Sequence, residues 1–167
     1  MRDKNSLTKP IPSDPTEHLF ARADLQWEAG HLRAAFRTFL AAAKAGNKAA
    51  QLNVGYFYDL GIGVRPDPNA ALHWYKKAYK RGSAEAASNI GTVRRDQGQI
   101  QRALSWFKKA VAMGDDDANL QIAKIYLALR EYETAMPYLN RILGSNTVTE
   151  ANLEQAKLLL RAAGHKG

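Results

Sequence analysis

The chain has 167 residues, of which 46% are hydrophobic and 24% charged, a composition typical of one globular domain and incompatible with disorder throughout. No apolar run approaches the roughly 18 residues that a membrane helix needs, and the first thirty residues lack the apolar centre of a secretory signal. We therefore expect a cytoplasmic protein without membrane insertion. Cysteine is absent, which excludes disulfides, thiolate metal sites and a thiol nucleophile.

The net charge of +8 is unevenly distributed along the chain. Residues 47–82 and 83–114 carry net charges of +4 and +3, whereas residues 115–146 carry −2. Much of the excess comes from six cations on the predicted second helices, namely Lys76, Lys77, Lys80, Arg81, Lys108 and Lys109. Long cationic side chains commonly cover apolar surface while their charges stay in water, so a solvated outer face is the first interpretation. Weak binding of a nucleic acid or another polyanion is the alternative.

The first predicted elements are a tail and two helices. Residues 1–13 show no apolar periodicity and are predicted to be a flexible tail. The run Asp14-Pro15-Thr16-Glu17 is typical of a helix start, because the Asp can cap free amides and the Pro fits the first helical position. A first helix is predicted from Pro15 to Ala29, ended by Gly30. A second apolar stripe at helical spacing then ends at Gly46; its members are Leu32, Ala35, Phe36, Phe39, Ala42 and Ala43.

The rest of the chain repeats this arrangement of two helices. Glycines close successive units, in steps of 36 and 32 residues, at Gly46, Gly82 and Gly114. Small residues recur at one place in each later first helix: Gly55, Gly91 and Ala123. Bulky pairs recur in the second helices: Thr38-Phe39, Trp74-Tyr75, Trp106-Phe107 and Tyr138-Leu139. The small residues let two helix backbones approach closely and the aromatic rings fill the space to the next unit, so the units must stack to bury them.

The last unit and the residues after it have two further features. Pro137 falls inside the second helix of the fourth unit, where we expect it to remove a hydrogen bond and bend the helix axis. Residues 147–164 are predicted to form a helix that covers the end of the stack, with Thr147 and Glu150 as a capping box at its start. The final residues, 165–167, are predicted to be frayed.

The most regular unit is residues 50–82. Its pattern is A-x4-G-x2-Y-x2-G-x-G-V-x2-D-x2-A-x3-W-Y-x-K-A-x3-G, from Ala50 to Gly82. This unit resembles a Sel1-like repeat, a relative of the tetratricopeptide repeat, and the next unit lacks its extra turn and is closer to tetratricopeptide length. The resemblance implies an all-α protein. Its fold would be a right-handed α-solenoid of about four antiparallel helix pairs, in residues 14–46, 47–82, 83–114 and 115–146, plus a C-terminal capping helix in 147–164.

No group of titratable residues has catalytic or metal-binding spacing. The histidines stand alone, at His18, His31, His73 and His165. His73 precedes Trp74 and is interpreted as a partly buried packing residue. Residues 115–117, three consecutive aspartates, lie between Gly114 and a helix, so helix capping explains them better than a cation site. Gly61-Ile62-Gly63 lacks the strand and the lysine of a phosphate loop and is interpreted as a turn. Taken together, these residues predict no enzyme, no cofactor and no metal.

In the repeats that this chain resembles, the first helix of each pair lines a concave groove that holds a partner. Aligned on Gly55, the groove residues would be Phe20, Asp24, Trp27, Leu52, Asn53, Tyr56, Asp59, Ser88, Asn89, Thr92, Arg95, Leu120, Gln121, Lys124 and Leu127. Asn53 and Asn89 could hold a peptide backbone through their amides, or simply face solvent. Trp27 and Tyr56 could be binding anchors, or only packing residues.

The resemblance implies a non-enzymatic scaffold or adaptor that binds another protein or an extended peptide. The full carboxylate clamp of chaperone-binding relatives is absent, because its lysines are missing from the first two units. Arg95 and Lys124 could still receive an acidic group of the partner. One alternative is a bacterial immunity or inhibitor protein that neutralises a toxin or an enzyme. The other is the polyanion binding already mentioned, and a nucleic acid is not the expected partner.

Overall fold

The computed structural model of the chain describes residues 15–164. Within that range it contains nine α-helices and no strand. Their bounds are α1 Pro15–Glu28, α2 Leu32–Lys44, α3 Lys48–Leu60, α4 Pro68–Lys80, α5 Ala84–Asp96, α6 Ile100–Ala112, α7 Ala118–Ala128, α8 Tyr132–Leu143 and α9 Glu150–Gly164. The predicted tail, the capping Asp14 and the end at 165–167 lie outside the described residues. The all-α solenoid prediction is confirmed.

Short polar side chains start the repeated units where the sequence changes from turn to helix. The Asn47 side chain accepts a hydrogen bond from the Ala50 amide at 2.8 Å, and Ser83 accepts one from the Ala86 amide at 3.1 Å. Asp67 does the same for the second helix α4, accepting from two amides at 3.0 Å. Each bond satisfies an amide that a helix start leaves unpaired, so α3, α4 and α5 begin at fixed residues.

The two helices of a pair are held close because one of them contributes glycine. A β-carbon at Gly55 would lie 2.5 Å from the ring of Tyr75, and one at Gly91 would lie 2.7 Å from the ring of Phe107. Both rings are fully buried. The predicted role of the small residues is therefore confirmed for α3 with α4 and for α5 with α6.

The extra turn of the second unit is shaped by its own close approach. Gly63 has a φ of +64°, and a β-carbon there would lie 2.6 Å from the backbone of Leu32. Any other residue would meet both a strained backbone and the start of α2. The loop between α3 and α4 thus packs on the first unit.

Successive pairs pack through aromatic contacts. Trp27 of α1 meets Phe57 of α3 with ring centroids 5.2 Å apart, and Phe36 of α2 meets Tyr58 of α3 at 5.1 Å. These rings belong to one buried cluster that also takes in Trp74 from α4. Most helix contacts join elements adjacent in the chain, which is the organisation of a solenoid.

The C-terminal helix α9 covers both α7 and α8, with Ala156 fully buried against Leu139 and Ile142. Pro137 lies inside α8, and the helix is continuous around that residue and buries Ala135 and Leu139. The bend of the helix axis at Pro137 stays a prediction.

Two predictions at the start of α9 are wrong. The helix begins at Glu150 and not at Thr147, and the hydroxyl of Thr149 accepts from the Asn152 amide at 3.4 Å. The side chain of Thr147 instead donates to Asp116 at 2.8 Å, and the Ser145 hydroxyl donates to the same carboxylate at 2.6 Å. The tertiary bonds to Asp116 hold Thr147 in the loop before the helix.

The predicted capping role of the three aspartates is also wrong for α7. Asp117 precedes that helix but makes no side-chain cap bond to it. Its carboxylate accepts from the Thr149 amide at 3.2 Å, just before α9. Hydrogen bonds from Ser145 and Thr147 lower the pKa of Asp116 below its ordinary value. The aspartates thus connect the start of α7 to the loop between α8 and α9.

Candidate protein-binding face

The first helices of the four pairs, α1, α3, α5 and α7, form one side of the stack, which we call the first-helix face. Side chains link these helices directly across units. Trp27 of α1 meets Tyr56 of α3 at 6.2 Å between ring centroids, and Arg95 of α5 donates to Gln121 of α7 at 2.8 Å. These contacts bring residues of the predicted groove together from separate units.

The α1 end of the first-helix face is aromatic. Trp27 is half-buried because its ring also packs edge-on against Phe39 and Phe57. Phe20 likewise lies half-buried against Phe39, at 5.5 Å. Tyr56 keeps 38% of its surface exposed. Of the predicted aromatic residues, Tyr56 therefore has the most surface free for a partner, and the other two are mainly packing residues.

The centre of the face is polar. Asn53, Ser88, Asn89 and Thr92 are half-buried, and within residues 15–164 no hydrogen bond occupies their side chains. Amides held at a half-buried surface with free donors and acceptors can pair with a peptide backbone. Two further predicted residues, Asp24 and Leu52, are half-buried as well.

Asp59 is already engaged by the core. Its carboxylate accepts a hydrogen bond from the hydroxyl of Tyr75 at 3.3 Å. Burial raises the pKa of Asp59 above its ordinary value, an effect opposed by that hydrogen bond and reinforced by the charge of Asp96. Burial and the neighbouring Asp59 also raise the pKa of Tyr75. We therefore regard Asp59 as a residue that positions α3 against α4 more than as a free contact.

The α7 end of the face is basic. Arg95 contacts the Asp96 carboxylate at 3.0 Å and bonds to Gln121, so its guanidinium is fixed between α5 and α7. Lys124 lies one turn after Gln121 and is half-buried. Burial, followed by the charge of Arg95, lowers the pKa of Lys124. No carboxylate of residues 15–164 pairs with the Lys124 ammonium.

An apolar pocket of about 210 Å³ opens beside these two cations. Besides Arg95 and Lys124 it is lined by Ile100, Ile125, Ala128 and Leu129. Leu129 is 48% exposed. The sequence prediction included the two cations but missed the apolar lining. An exposed leucine just after the end of α7 was the available signal, although it does not show that Ile100 of α6 faces the same space.

One predicted groove residue is wrong. Leu120 is fully buried with Ala123, Leu139 and Ile142, so it cannot contact a partner. Leu127 is half-buried against the same cluster. Because α9 covers α7, positions that face outward in earlier units face the core here. His73 also differs from its prediction, because its side chain is exposed on α4.

Within the described residues, no helix is long and apolar enough to cross a membrane. No group of three or more His, Asp or Glu side chains between residues 15 and 164 is arranged to hold a metal ion. The polar groups of the first-helix face are side-chain amides, the guanidinium of Arg95 and the ammonium of Lys124 beside the apolar pocket.

Comparison with known proteins agrees with this architecture. The Sel1 repeat matches residues 48–83, and the tetratricopeptide repeat matches residues 94–158. The chain is similar to a Sel1 repeat protein from Oxalobacter formigenes, with 25% identity, a TM-score of 0.60, and coverage of 74% of this chain and 52% of that protein. It therefore spans about half the length of that relative.

Two other solved structures share the fold. A tetratricopeptide repeat protein from Parabacteroides merdae has 18% identity and a TM-score of 0.69, covering 90% of this chain and 60% of that protein. The immunity protein Pa5087 from Pseudomonas aeruginosa has 21% identity and a TM-score of 0.53, covering 78% and 54%. Sel1 and tetratricopeptide repeats generally mediate protein–protein interaction and are generally not catalytic. The two repeat matches and the stacked helix pairs show a helical repeat solenoid that contains a Sel1-like repeat and a tetratricopeptide-like region.

Proposed function

We propose that the chain is a non-enzymatic scaffold that binds an extended segment of a partner protein along its first-helix face. The observation that carries this proposal is the α7 end of the face, where Lys124 and Arg95 lie beside an apolar pocket and Lys124 has no carboxylate partner among the described residues. Lys124 is partly desolvated and lies near the positive charge of Arg95, so an anion that reaches its ammonium group would be favoured there.

The chemistry of this end defines the segment that would fit. A carboxylate placed at Lys124 would relieve the repulsion from Arg95 and form a charge-assisted hydrogen bond. An aliphatic side chain beside it would fill the hollow of about 210 Å³ between Ile100, Ile125 and Leu129. The backbone of the segment would then run towards Asn89 and Asn53. The side-chain amides of these two residues have no hydrogen-bond partner within residues 15–164. We therefore expect a carboxylate next to an aliphatic residue in the bound sequence.

Selection from a random peptide library displayed on phage, with the full chain as bait, tests this proposal. The selected peptides should share an acidic residue beside Leu, Ile or Val, and their affinity should fall about tenfold or more when Arg95 and Lys124 are both replaced by Ala. Replacement of Lys44 and Lys108 by Ala removes the same charge from exposed positions of α2 and α6 and serves as the control.

Two results would contradict the proposal. One is a set of selected peptides with no shared acidic and aliphatic pair. The other is an equal loss of affinity in R95A/K124A and in the control, which would show that net charge alone drives binding. The immunity-protein alternative receives no separate support, since the likeness to Pa5087 at 21% identity is a likeness of fold.

A further inference from the structure

The opposite side of the stack is formed by the second helices, and we call it the second-helix face. Its first three helices, α2, α4 and α6, together contain nine Lys or Arg residues and no Asp or Glu. This pattern cannot be a neutralised surface of alternating charges. It produces a field of one sign that attracts anions.

A groove of about 500 Å³ lies on this face between α4 and α6. Lys76, Lys80 and His73 line it from α4, Arg94 from the end of α5, and Trp106 from α6. The ammonium groups of Lys76 and Lys80 have no carboxylate partner within residues 15–164. The exposed His73 precedes Lys76 by three residues and Lys80 by seven, so it lies on the same side of α4 as these two lysines.

Arg94, which lines the groove, is held by two hydrogen bonds. Its Nη1 donates to Gln97 at 3.0 Å and to Gln99 at 3.2 Å, both in the turn before α6. Its Nε is buried and has no partner among the described residues. The groove therefore combines a guanidinium held by two hydrogen bonds with two ammonium groups that have no carboxylate partner among the described residues, which favours an anionic ligand between α4 and α6.

We propose that this groove binds an acidic segment of a protein partner, at a site separate from the first-helix face. Lys76 and Lys80 are four residues apart on α4, which places them about 6 Å apart along the helix. Alternate residues of an extended peptide are about 6.6 Å apart. A segment with Asp or Glu at alternate positions thus matches the spacing of the two lysine positions along α4.

The aromatic rings of the groove argue for this ligand over a single-stranded nucleic acid. Base stacking needs a free ring face. Trp106 already packs edge-to-face on Tyr79 at 5.0 Å and carries the Lys109 ammonium 4.2 Å from its ring centre. On the α4 side, the Trp74 ring lies under Lys77 at 4.5 Å and against His73 at 5.4 Å. These rings are occupied by their own neighbours, so the groove offers charge and hydrogen bonds more than stacking.

The test uses fluorescence anisotropy of the full chain with a labelled peptide of alternating glutamate and serine. The peptide should bind with an affinity that falls steeply as salt is raised. In the variant K76E/K80E the affinity should fall by about tenfold or more. The matched control K44E/K108E changes the net charge equally at exposed positions outside the groove, and there the affinity should change by less than about threefold. Circular dichroism checks folding, and K76Q/K80Q replaces the first variant where that one does not fold.

Four outcomes would overturn the proposal. The first is absence of peptide binding, and the second is an equal effect of K76E/K80E and K44E/K108E. The third is tighter binding of single-stranded DNA of equal charge. The fourth is loss of binding in R95A/K124A while K76E/K80E still binds, which would place the peptide on the first-helix face. The library selection on that face tests the proposed function independently, because its readout is a shared acidic and aliphatic pair.

Discussion

The two faces of this solenoid share one core but differ in chemistry. The first helices, α1, α3, α5 and α7, carry charges of both signs, six acidic and five basic, whereas α2, α4 and α6 carry nine basic residues and no acidic one. A mixed surface can recognise a ligand by the position of each group, and a surface of one sign attracts ligands over a longer distance with less discrimination. The same repeat can therefore support one face that selects a ligand by the position of its groups and another that attracts anionic ligands by its net charge.

Both faces are supported by one core, and replacement of Trp74 by Ala should destabilise that core more than the other changes considered below. Trp74 lies on α4 but is buried in the cluster that contains Phe57 and Val54 of α3. We expect a loss of about 3–5 kcal/mol in the free energy of unfolding, because a large cavity would form between units. Urea unfolding followed by circular dichroism measures this loss. K76A, at an exposed position two residues later, is the control, and equal stability of the two variants would show that the faces do not depend on this ring.

The spacing between the faces is set by glycine, and G91A should have the next largest effect. The added methyl group would lie 2.7 Å from the ring of Phe107, which is fully buried and cannot move away freely. We expect a loss of about 1–3 kcal/mol from overpacking. In the background of F107L the same change should cost less, as in the fourth unit, where Ala123 and Leu139 are buried in one cluster. Equal costs in both backgrounds would contradict this explanation.

A third prediction concerns the end of both faces, where Asp116 holds the loop before α9. Its pKa is lowered by Ser145 and Thr147, so its ionised form stabilises the folded state. This contribution is fully present above the ordinary value of 3.8 and is lost as the pH falls through the lowered pKa. D116N should therefore reduce the melting temperature at neutral pH, and the difference from the unaltered chain should shrink in strong acid.

Its control is D115N, which removes the same charge at the neighbouring residue. Within the described range, the Asp115 carboxylate makes no bond to Ser145 or Thr147. Thermal melts of the two variants, recorded from neutral to strongly acidic pH, separate the hydrogen bonds from simple charge. A difference for D116N that stayed constant across that range would rule out ionisation of Asp116 as its cause.

The smallest effect on stability is expected for Y56A, which tests the first-helix face alone. Tyr56 is partly exposed and meets Trp27 at its edge, so its loss should cost less than about 1 kcal/mol of folding free energy. The affinity for a library-selected peptide should fall about tenfold, because a partly exposed aromatic side chain on the binding face can act as an anchor. Titration of that peptide measures the change, and binding of the glutamate and serine peptide should stay the same. A large loss of stability would identify Tyr56 as a packing residue.

The fold could be predicted from the sequence because its signals are local. Caps, closing glycines and apolar stripes lie within each unit, and the first helix was expected at Pro15 to Ala29 and is found at Pro15–Glu28. The errors arose where distant residues decide. Thr147 and Thr149 both precede α9, and the hydrogen bonds that they donate to Asp116 and Asp117 decide which one caps it. Leu120 was assigned to the groove because it aligns with Leu52 and Ser88 of the earlier units, but α9 covers it.

The candidate site was predicted less well than the fold for a related reason. Arg95 and Lys124 could be placed on one face by repeat alignment alone. The apolar pocket beside them could not, because Ile100 reaches it from the start of α6 and Leu129 from beyond the end of α7. Pockets formed between consecutive units depend on how far each helix is shifted along its neighbour. The periodicity of the sequence does not determine that shift.

The hydrogen bonds that join the start of α7 to the loop before α9 have a consequence for partial unfolding. In a linear array, terminal helices usually detach one after another, with each step limited by the adjacent interface. Here, detachment of α9 together with the loop before it also breaks the bonds that this loop makes to Asp116 and Asp117 at the start of α7. Amide hydrogen exchange should therefore report α7, α8 and α9 opening as one cooperative segment, with a common opening free energy.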